Sequence, residues 1–156
     1  MTLVEREDFP GATGPGPHVW RTLGYRCSTA EPGRSVVEWN APPEYCFPTG
    51  TGPVVQGGLV AAQLDSAMGG ACWSVLEPGE TFLTADLRVE FLRTTRPGPL
   101  TAVGTVVRRT RRVVFCATEL FDAGGTLLAA SRCTQVVLPA DGPAGRAAPP
   151  PEQSTL

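Results

Sequence analysis

The feature that most constrains this chain is a segment without proline, residues 54–76. Between Leu59 and Val75 it holds a single charged residue, Asp65, and its apolar residues recur close to the period of a helix. These apolar residues are Leu59, Val60, Leu64, Ala67, Met68, Ala71, Cys72 and Val75. Because a helix that is apolar or small on nearly all sides is normally buried, we expect a central helix covered by a sheet. A lone carboxylate is costly to bury unless it is paired or hydrogen-bonded, so Asp65 is the first candidate functional residue.

Much of the rest of the chain alternates between apolar and polar residues, as β-strands do. Five such runs cover residues 35–41, 82–93, 100–109, 113–122 and 126–138. Strict alternation in the second run assigns one face to Leu83, Ala85, Leu87, Val89 and Phe91 and the other to Thr84, Asp86, Arg88 and Glu90. Short turns join the last four runs, which predicts an antiparallel meander. The chain is therefore expected to be α+β, with a curved antiparallel sheet of about five to six strands around one long central helix.

Length and composition leave room for one domain. With 156 residues, 42% of them hydrophobic and 18% charged, the chain can bury one ordinary core, which we assign to residues 18–139. Proline and glycine crowd residues 1–17, predicted to be a flexible arm, and residues 140–156 are predicted to be a disordered Pro/Ala-rich tail. The formal net charge of −2 favours neither nucleic acid nor an anionic membrane as a partner.

Side-chain chemistry narrows the functional classes further. All 13 basic residues are arginine, which excludes a lysine nucleophile. The five cysteines are widely spaced and the chain has one histidine, so no metal-ligand pattern is present and no metal is expected. Unpaired cysteines, together with the lack of a membrane-spanning apolar run and of a signal peptide at the start of this sequence, predict a cytoplasmic protein.

The predicted helix and the strands after it carry a set of short motifs. They are Gln56-Gly57-Gly58-Leu59, Asp65-Ser66-Ala67-Met68-Gly69, Thr84-Ala85-Asp86-Leu87, Val89-Glu90-Phe91-Leu92-Arg93, Arg96-Pro97-Gly98 and Asp122-Ala123-Gly124-Gly125. This set resembles the PaaI-type acyl-CoA thioesterases, over residues 36 to 139 approximately. The resemblance implies the hotdog fold, in which a curved sheet wraps a central helix. It also implies hydrolysis of acyl-CoA to a carboxylic acid and free CoA, with no cofactor, since coenzyme A is part of the substrate.

The resemblance also implies roles for individual residues. In that family a His-Gly-Gly segment opens the helix, an Asp lies eight residues after the first Gly, and a Ser or Thr begins the next strand. These positions are Gln56, Gly57, Asp65 and Thr84 in this chain. Gln56 departs from the pattern, because an amide can donate a hydrogen bond to the substrate but cannot shuttle a proton. The leaving group would then take its proton from water or from Asp65.

These residue types suit thioester hydrolysis. The first N–H groups of a helix have no intrahelical partner, and Gly57 and Gly58 leave them open to a developing oxyanion. Asp65 would act as general base or nucleophile, with support from Thr84. Burial raises the pKa of a carboxyl and a hydroxyl contact lowers it, and the sequence does not decide which prevails. The plainer alternatives are a tight turn at the glycines, a structurally paired Asp65, and a surface position for Thr84.

The spacing of the site residues predicts an assembly. Gly57 and Asp65 are eight residues apart, or about 12 Å along a helix, so one thioester carbonyl cannot reach both within a single chain. The resemblance implies a homodimer in which Gly57 of one subunit faces Asp65 of its partner, with dimers often pairing into tetramers.

Four arginines in five positions occupy a predicted hairpin turn: Arg108, Arg109, Arg111 and Arg112. Because arginine suits phosphate, these side chains are candidates, with Gly58, for binding the CoA part of the substrate, and a solvated turn is the alternative.

Two other functions stay open. A non-catalytic acyl-CoA-binding regulator would keep the cleft without the chemistry, whereas a hydroxyacyl-thioester dehydratase would need a histidine that the predicted helix lacks.

Overall fold

The computed structural model describes residues 17–140. Within that range the elements are α1 (His18–Leu23), β1 (Tyr25–Glu31), β2 (Arg34–Ala41), a short 3-10 turn (Pro43–Tyr45), β3 (Cys46–Phe47), β4 (Val54–Val55), α2 (Gly57–Trp73), β5 (Glu80–Phe91), β6 (Gly98–Arg109), β7 (Val113–Asp122) and β8 (Leu127–Pro139). The predicted arm and tail lie outside the described residues, apart from Pro17 and Ala140. None of these helices has the length and apolar character that crossing a bilayer requires.

Six strands form one antiparallel sheet in the order β1-β2-β6-β7-β8-β5, and β3 pairs with β4 in a separate short hairpin. The sheet and the single long helix α2 confirm the predicted α+β class and the hotdog architecture. Strand β1 and helix α1 were not predicted. The sequence did contain a turn signal after β1, namely Gly33. In the structure Gly33 lies between β1 and β2 with a φ of 79°, a conformation that glycine adopts readily.

Helix α2 packs on the sheet through one side only. Its buried side chains include Val60, Leu64 and Met68, which join two apolar clusters formed with the sheet. The other side, with Ala62, Asp65, Ser66 and Gly69, is half-buried. The sheet therefore covers the central helix, as expected, and leaves one side of the helix half-buried.

The helix and the sheet approach each other very closely at Gly104 of β6. A Cβ atom added at Gly104 would lie 2.2 Å from the carbonyl oxygen of Ala67 in α2. Two buried hydroxyls bond the same part of the helix, because Ser35 donates to the Ala67 carbonyl at 2.5 Å and Thr118 donates to the Leu64 carbonyl at 3.3 Å. These contacts fix the height of Asp65 above the sheet, since Asp65 lies between the two bonded carbonyls.

Strand β5 contains a β-bulge that overturns the predicted alternation. Thr84 pairs with Gln135 of β8, and Asp86 pairs with the adjacent residue Thr134, so Ala85 is the extra residue. Neighbouring residues of β8 point to opposite faces, and therefore Thr84 points toward α2 whereas Asp86 points away from it. Leu83 correspondingly lies on the outer face and is 58% exposed.

Among the described residues, strand β5 is also an edge of the sheet, with β8 on one side and no strand on the other. Beyond the bulge its inner face carries Leu87 and Phe91, which are 39% and 56% exposed. Exposed apolar side chains on an unpaired edge strand are typical of a surface that associates with another chain.

Candidate active site

The start of α2 is held in place by backbone hydrogen bonds from two directions. The N–H of Val55 donates to the carbonyl of Thr95 at 2.9 Å, and the N–H of Gln56 donates to the carbonyl of Tyr45 at 3.0 Å. The N–H groups of Gly57 and Gly58 follow, and within residues 17–140 no acceptor takes them. They are the orphan donors of a helix N-terminus, and they are available to an anionic or polarised oxygen.

Gln56 is the N-cap of α2. Its side-chain oxygen Oε1 accepts a hydrogen bond from the N–H of Leu59 at 3.0 Å. The amide lies over Gly58, where an added Cβ would stand 2.8 Å from that oxygen. Gly58 is thus needed for the Gln56 side chain to fold back, and the Nε2 amino group remains as a third donor at the helix start.

An apolar groove of about 450 Å³ opens beside these donors. It lies between the β3–β4 hairpin, the start of α2 and the end of β5. Its apolar lining comprises Phe47, Val54, Val55, Val60, Phe91 and Leu92, and Arg93, Thr94 and Thr95 complete the wall. Gly57 forms one edge, and the ring of Phe91 would lie 3.3 Å from a Cβ placed there. The groove can therefore hold an apolar group with its polar end at the free N–H groups.

Asp65 lies on the half-buried side of α2 and faces β5. Thr84 Oγ1 donates a hydrogen bond to Asp65 Oδ1 at 3.2 Å. Burial raises the pKa of Asp65 and the Thr84 hydrogen bond lowers it, with burial the larger effect, so the net shift is upward. The second carboxylate oxygen, Oδ2, has no hydrogen-bond partner within residues 17–140, which leaves it available to water or substrate.

The bulge at Ala85 explains how Thr84 reaches Asp65 despite its place in the alternating pattern. Thr84 Oγ1 also lies 2.9 Å from Oε1 of Gln135, a glutamine that is 0% exposed in β8. Sequence reasoning missed Gln135. The available signal was its place among the inward positions of β8, where Ala129, Ser131 and Cys133 are also buried.

The structure brings Asp65 and Thr84 together and does not bring Gly57 to Asp65 within one chain. Gly57 and Asp65 belong to one regular helix, so their eight-residue spacing leaves them about 12 Å apart along its axis.

Arg109 differs from the other arginines of the β6–β7 turn because its side chain has partners within the fold. It donates to the carbonyl of Val75 at 3.0 Å and forms an ion pair with Glu80 at 2.6 Å, so it is bound to the fold. Arg108, Arg111 and Arg112 are exposed, and within residues 17–140 their side chains have no ion-pair or hydrogen-bond partner. These three arginines are free to meet a ligand near the C-terminal end of α2.

Comparison with known proteins places this geometry in a family. A family model described as "Thioesterase superfamily" matches residues 52–129, which include Gln56, Asp65 and Thr84. The chain is 30% identical over 109 residues to "Putative esterase SSO2140" of Saccharolobus solfataricus, covering 70% of this chain and 75% of that protein.

Solved structures agree on the fold. The phenylacetic acid degradation-related protein of Ralstonia eutropha JMP134 superposes with a TM-score of 0.72 and 30% identity, over 79% of this chain and 92% of that one. The E. coli PaaI protein from the phenylacetic acid degradation operon superposes with a TM-score of 0.71 and 20% identity, over 78% and 85%, which shows a shared fold. The chain therefore belongs to the Thioesterase superfamily of thioester hydrolases and has the hotdog fold of its PaaI-like members.

Proposed function

We propose that this protein hydrolyses acyl-CoA thioesters in a site shared by two copies of the chain. The observation that carries the proposal is the presence of two separate half-sites in one chain. One is a pair of unpartnered N–H groups beside an apolar groove, and the other is a half-buried carboxylate held by Thr84.

The helix start supplies the electrophilic half. The N–H groups of Gly57 and Gly58 and the amino group of Gln56 would bond the thioester oxygen more strongly as it becomes an oxyanion, aided by the positive end of the helix dipole. The apolar groove beside them suits the hydrocarbon part of the acyl group. Gln56 carries no transferable proton, so its contribution is hydrogen bonding alone.

Asp65 supplies the basic half. As general base it takes a proton from a water whose oxygen adds to the carbonyl carbon, and as nucleophile Oδ2 adds directly to give an anhydride that water then opens. In both routes the carbon–sulfur bond breaks with the electron pair leaving on sulfur. Gln56 cannot supply a proton, so in the general-base route the thiolate is protonated by water or by the proton that Asp65 has taken, a form that burial favours. In the nucleophilic route Asp65 is acylated at this step, and the proton comes from water.

Symmetry supports the shared site. If Gly57 faces Asp65 of the partner, a two-fold axis makes Asp65 face Gly57 of the partner, and the two α2 helices run antiparallel. The small residues on the half-buried side of α2 permit close approach of a second helix, and the exposed inner face of β5 supplies apolar contacts. Burying the remaining exposed surface of Leu87 would contribute about 1 kcal/mol per subunit.

The same arrangement supports a role for the β6–β7 turn in binding CoA. Trp73 ends α2 eight residues beyond Asp65, so this end would lie about 12 Å past Gly57 of the partner. Arg108, Arg111 and Arg112 lie at that end of the molecule and would meet the CoA phosphates at the mouth of the site. Arg109 is committed to Glu80 and to the Val75 carbonyl and would act only through the shape of the turn.

The activity is tested by free-thiol release from short aliphatic, long aliphatic, phenylacetyl and benzoyl CoA, with Asp65→Asn as the variant and Asp86→Asn as the matched control. Asp86 lies two residues from Thr84 on the outer face, so its loss should leave turnover unchanged while Asp65→Asn abolishes it. Transfer of ¹⁸O from labelled water into Asp65 would identify the nucleophilic route. CoA binding without turnover of any substrate would replace the proposal with a non-catalytic acyl-CoA-binding protein.

Sharing of the site is tested by mixing two inactive variants, Asp65→Asn and Gly57→Val. A valine at position 57 meets the Phe91 ring and blocks the helix start. A heterodimer of the two variants contains one site with both residues intact, so random reassortment should restore about a quarter of wild-type activity. No recovery on mixing, with heterodimers present, would refute a shared site.

The interface is tested by Leu87→Arg on the inner face of β5, with Leu83→Arg on the outer face as control. Sedimentation should show that the first variant is monomeric, and the thiol-release assay should show that its turnover is lost. The second should retain the wild-type dimer, whether or not dimers pair into tetramers.

A further inference from the structure

The hydrogen bonds behind Asp65 continue into the core. Thr84 Oγ1 lies 3.2 Å from Asp65 Oδ1 and 2.9 Å from Gln135 Oε1, and Gln135 Nε2 donates to Cys133 Sγ at 3.2 Å. The Cys116 thiol lies directly opposite Cys133 on the neighbouring strand. An unbroken chain of polar groups therefore runs from the carboxylate at the site into the buried sheet.

This chain has two consistent directions of hydrogen bonding. A hydroxyl has one proton, so Thr84 cannot donate to Asp65 and to Gln135 at once. When Asp65 is neutral, its own proton goes to Thr84 Oγ1 and the Thr84 proton goes to Gln135 Oε1. When Asp65 is ionised, Thr84 must donate to Asp65, and two oxygen lone pairs would then face each other at 2.9 Å.

A rotation of the Gln135 amide by 180° removes that conflict. The rotated amide donates from Nε2 to Thr84 Oγ1 and accepts the Cys133 thiol proton at Oε1. Every polar atom stays paired, and no proton leaves its group. Gln135 is 0% exposed, so its own amide atoms must find their hydrogen-bond partners within the protein in either orientation.

We propose that Gln135 is a positioning residue whose buried amide reverses with the protonation of Asp65 and keeps Thr84 bonded to both forms of that carboxyl. The inference rests on the proposed role of Asp65 as the group that gains and loses a proton. Such a support matters in this chain because Gln56 cannot carry a proton, which leaves Asp65 to serve in both states. The reversal stabilises the ionised form through a charge-assisted hydrogen bond and still satisfies the neutral form.

The surroundings of Asp65 contain few competing titratable groups. Those facing it are the buried thiols of Cys116 on β7 and Cys133 on β8, and Asp65 itself helps to raise the pKa of Cys116. Cys72 of α2 faces Arg109 and Glu80, nearer the end of the helix. Asp86, Arg88 and Glu90 of β5 point to the outer face.

The test compares Gln135→Met with Gln63→Met. Gln63 is the matched control because it is also 0% exposed and donates to the carbonyls of Val37 and Leu100, with no contact to Asp65 or Thr84. The primary measurement is the pKa of Asp65 from ¹³C NMR of its carboxyl, assigned with Asp65→Asn. This measurement needs no turnover, so a failure of the proposed enzymatic function would not be confused with a failure of this inference.

We expect Thr84→Val to raise the pKa of Asp65, because the lowering hydrogen bond is lost. Gln135→Met should raise it by a smaller amount, Gln63→Met should leave it unchanged, and Gln135→Met added to Thr84→Val should have no further effect. The acid limb of kcat/KM should move to higher pH in parallel with each rise in the pKa of Asp65. In the wild type, the side-chain amide signals of Gln135 should titrate with Asp65 while those of Gln63 do not.

Two results would overturn the inference. One is an unchanged Asp65 pKa in folded Gln135→Met, which would make Gln135 a structural residue like Gln63. The other is an additive shift in the double variant, which would mean that Gln135 does not act through Thr84. If Gln135→Met does not fold, the wild-type protein still decides: side-chain amide signals of Gln135 that stay constant while Asp65 titrates would contradict the inference.

Discussion

The substitution Gly104→Ala tests the close contact that sets the position of Asp65. The added methyl group would lie 2.2 Å from the Ala67 carbonyl oxygen, 2.4 Å from the Ala67 carbonyl carbon and 2.9 Å from the Met68 nitrogen. All three atoms belong to the backbone of α2, so no side chain can rotate to make room. The helix and the sheet must therefore separate locally by roughly 1 Å.

The size of the effect follows from the contacts that this separation disturbs. Overpacking of a core costs about 1–3 kcal/mol, and weakening the hydrogen bonds from Ser35 and Thr118 to the helix costs about 1 kcal/mol each. The unfolding free energy should thus fall by about 3–5 kcal/mol, a large fraction of the stability of an ordinary domain. Alanine in a strand would otherwise be the better residue, so the sign of the effect depends entirely on the contact with Ala67.

Urea denaturation of Gly104→Ala, compared with Gly50→Ala, measures this effect. Gly50 has nothing within 4 Å of an added Cβ, so its substitution should change the unfolding free energy by less than about 0.5 kcal/mol. Folded Gly104→Ala should also lose thiol-releasing activity, because Asp65 moves with the helix away from Thr84. An unfolding free energy for Gly104→Ala within about 0.5 kcal/mol of wild type would refute the reasoning.

Three further predictions concern the site. Asp65→Asn should raise the melting temperature at neutral pH and not at low pH. The raised pKa means that the folded state binds the Asp65 proton more tightly than the unfolded state does, so stability falls as pH rises through the pKa of Asp65 in the folded protein. Gly58→Ala should lower kcat/KM as much as Gln56→Ala does, since the added methyl group displaces the capping amide of Gln56. The melting temperature of Gly58→Ala should change little, because the higher helix propensity of alanine offsets the lost cap. Arg109→Ala should lower the free energy of unfolding in urea by about 2 kcal/mol through the lost bonds to Glu80 and the Val75 carbonyl. Arg111→Ala should leave the free energy of unfolding unchanged and raise KM for acyl-CoA more at low salt than at high salt.

Local pattern predicted the central helix and five of the six strands of the main sheet. The helical period between Leu59 and Val75 and the alternation in the four later runs predicted α2 and β5 to β8 to within two residues at each end. Each of these periodic patterns involves residues only a few positions apart, and the burial of one face of the element maintains the pattern. The eight-residue spacing of Gly57 and Asp65 likewise fixed their separation, because a helix has a constant rise.

The roles of the surrounding side chains depended on contacts between distant parts of the chain. The sequence predicted Thr84 on the polar face, and only the pairing of β5 with β8 revealed the bulge that turns it toward Asp65. The capping position of Gln56 and the attachment of Arg109 to Glu80 depend similarly on the folded shape.

The sequence by itself determined the fold class, the central helix and the spacing of Gly57 and Asp65 along it. The tertiary structure alone decided that burial outweighs the Thr84 hydrogen bond at Asp65, and that Gln135 stands behind Thr84. The physical reason is that periodicity is a property of neighbouring residues, whereas desolvation and strand register are set by segments that meet only when the chain has folded.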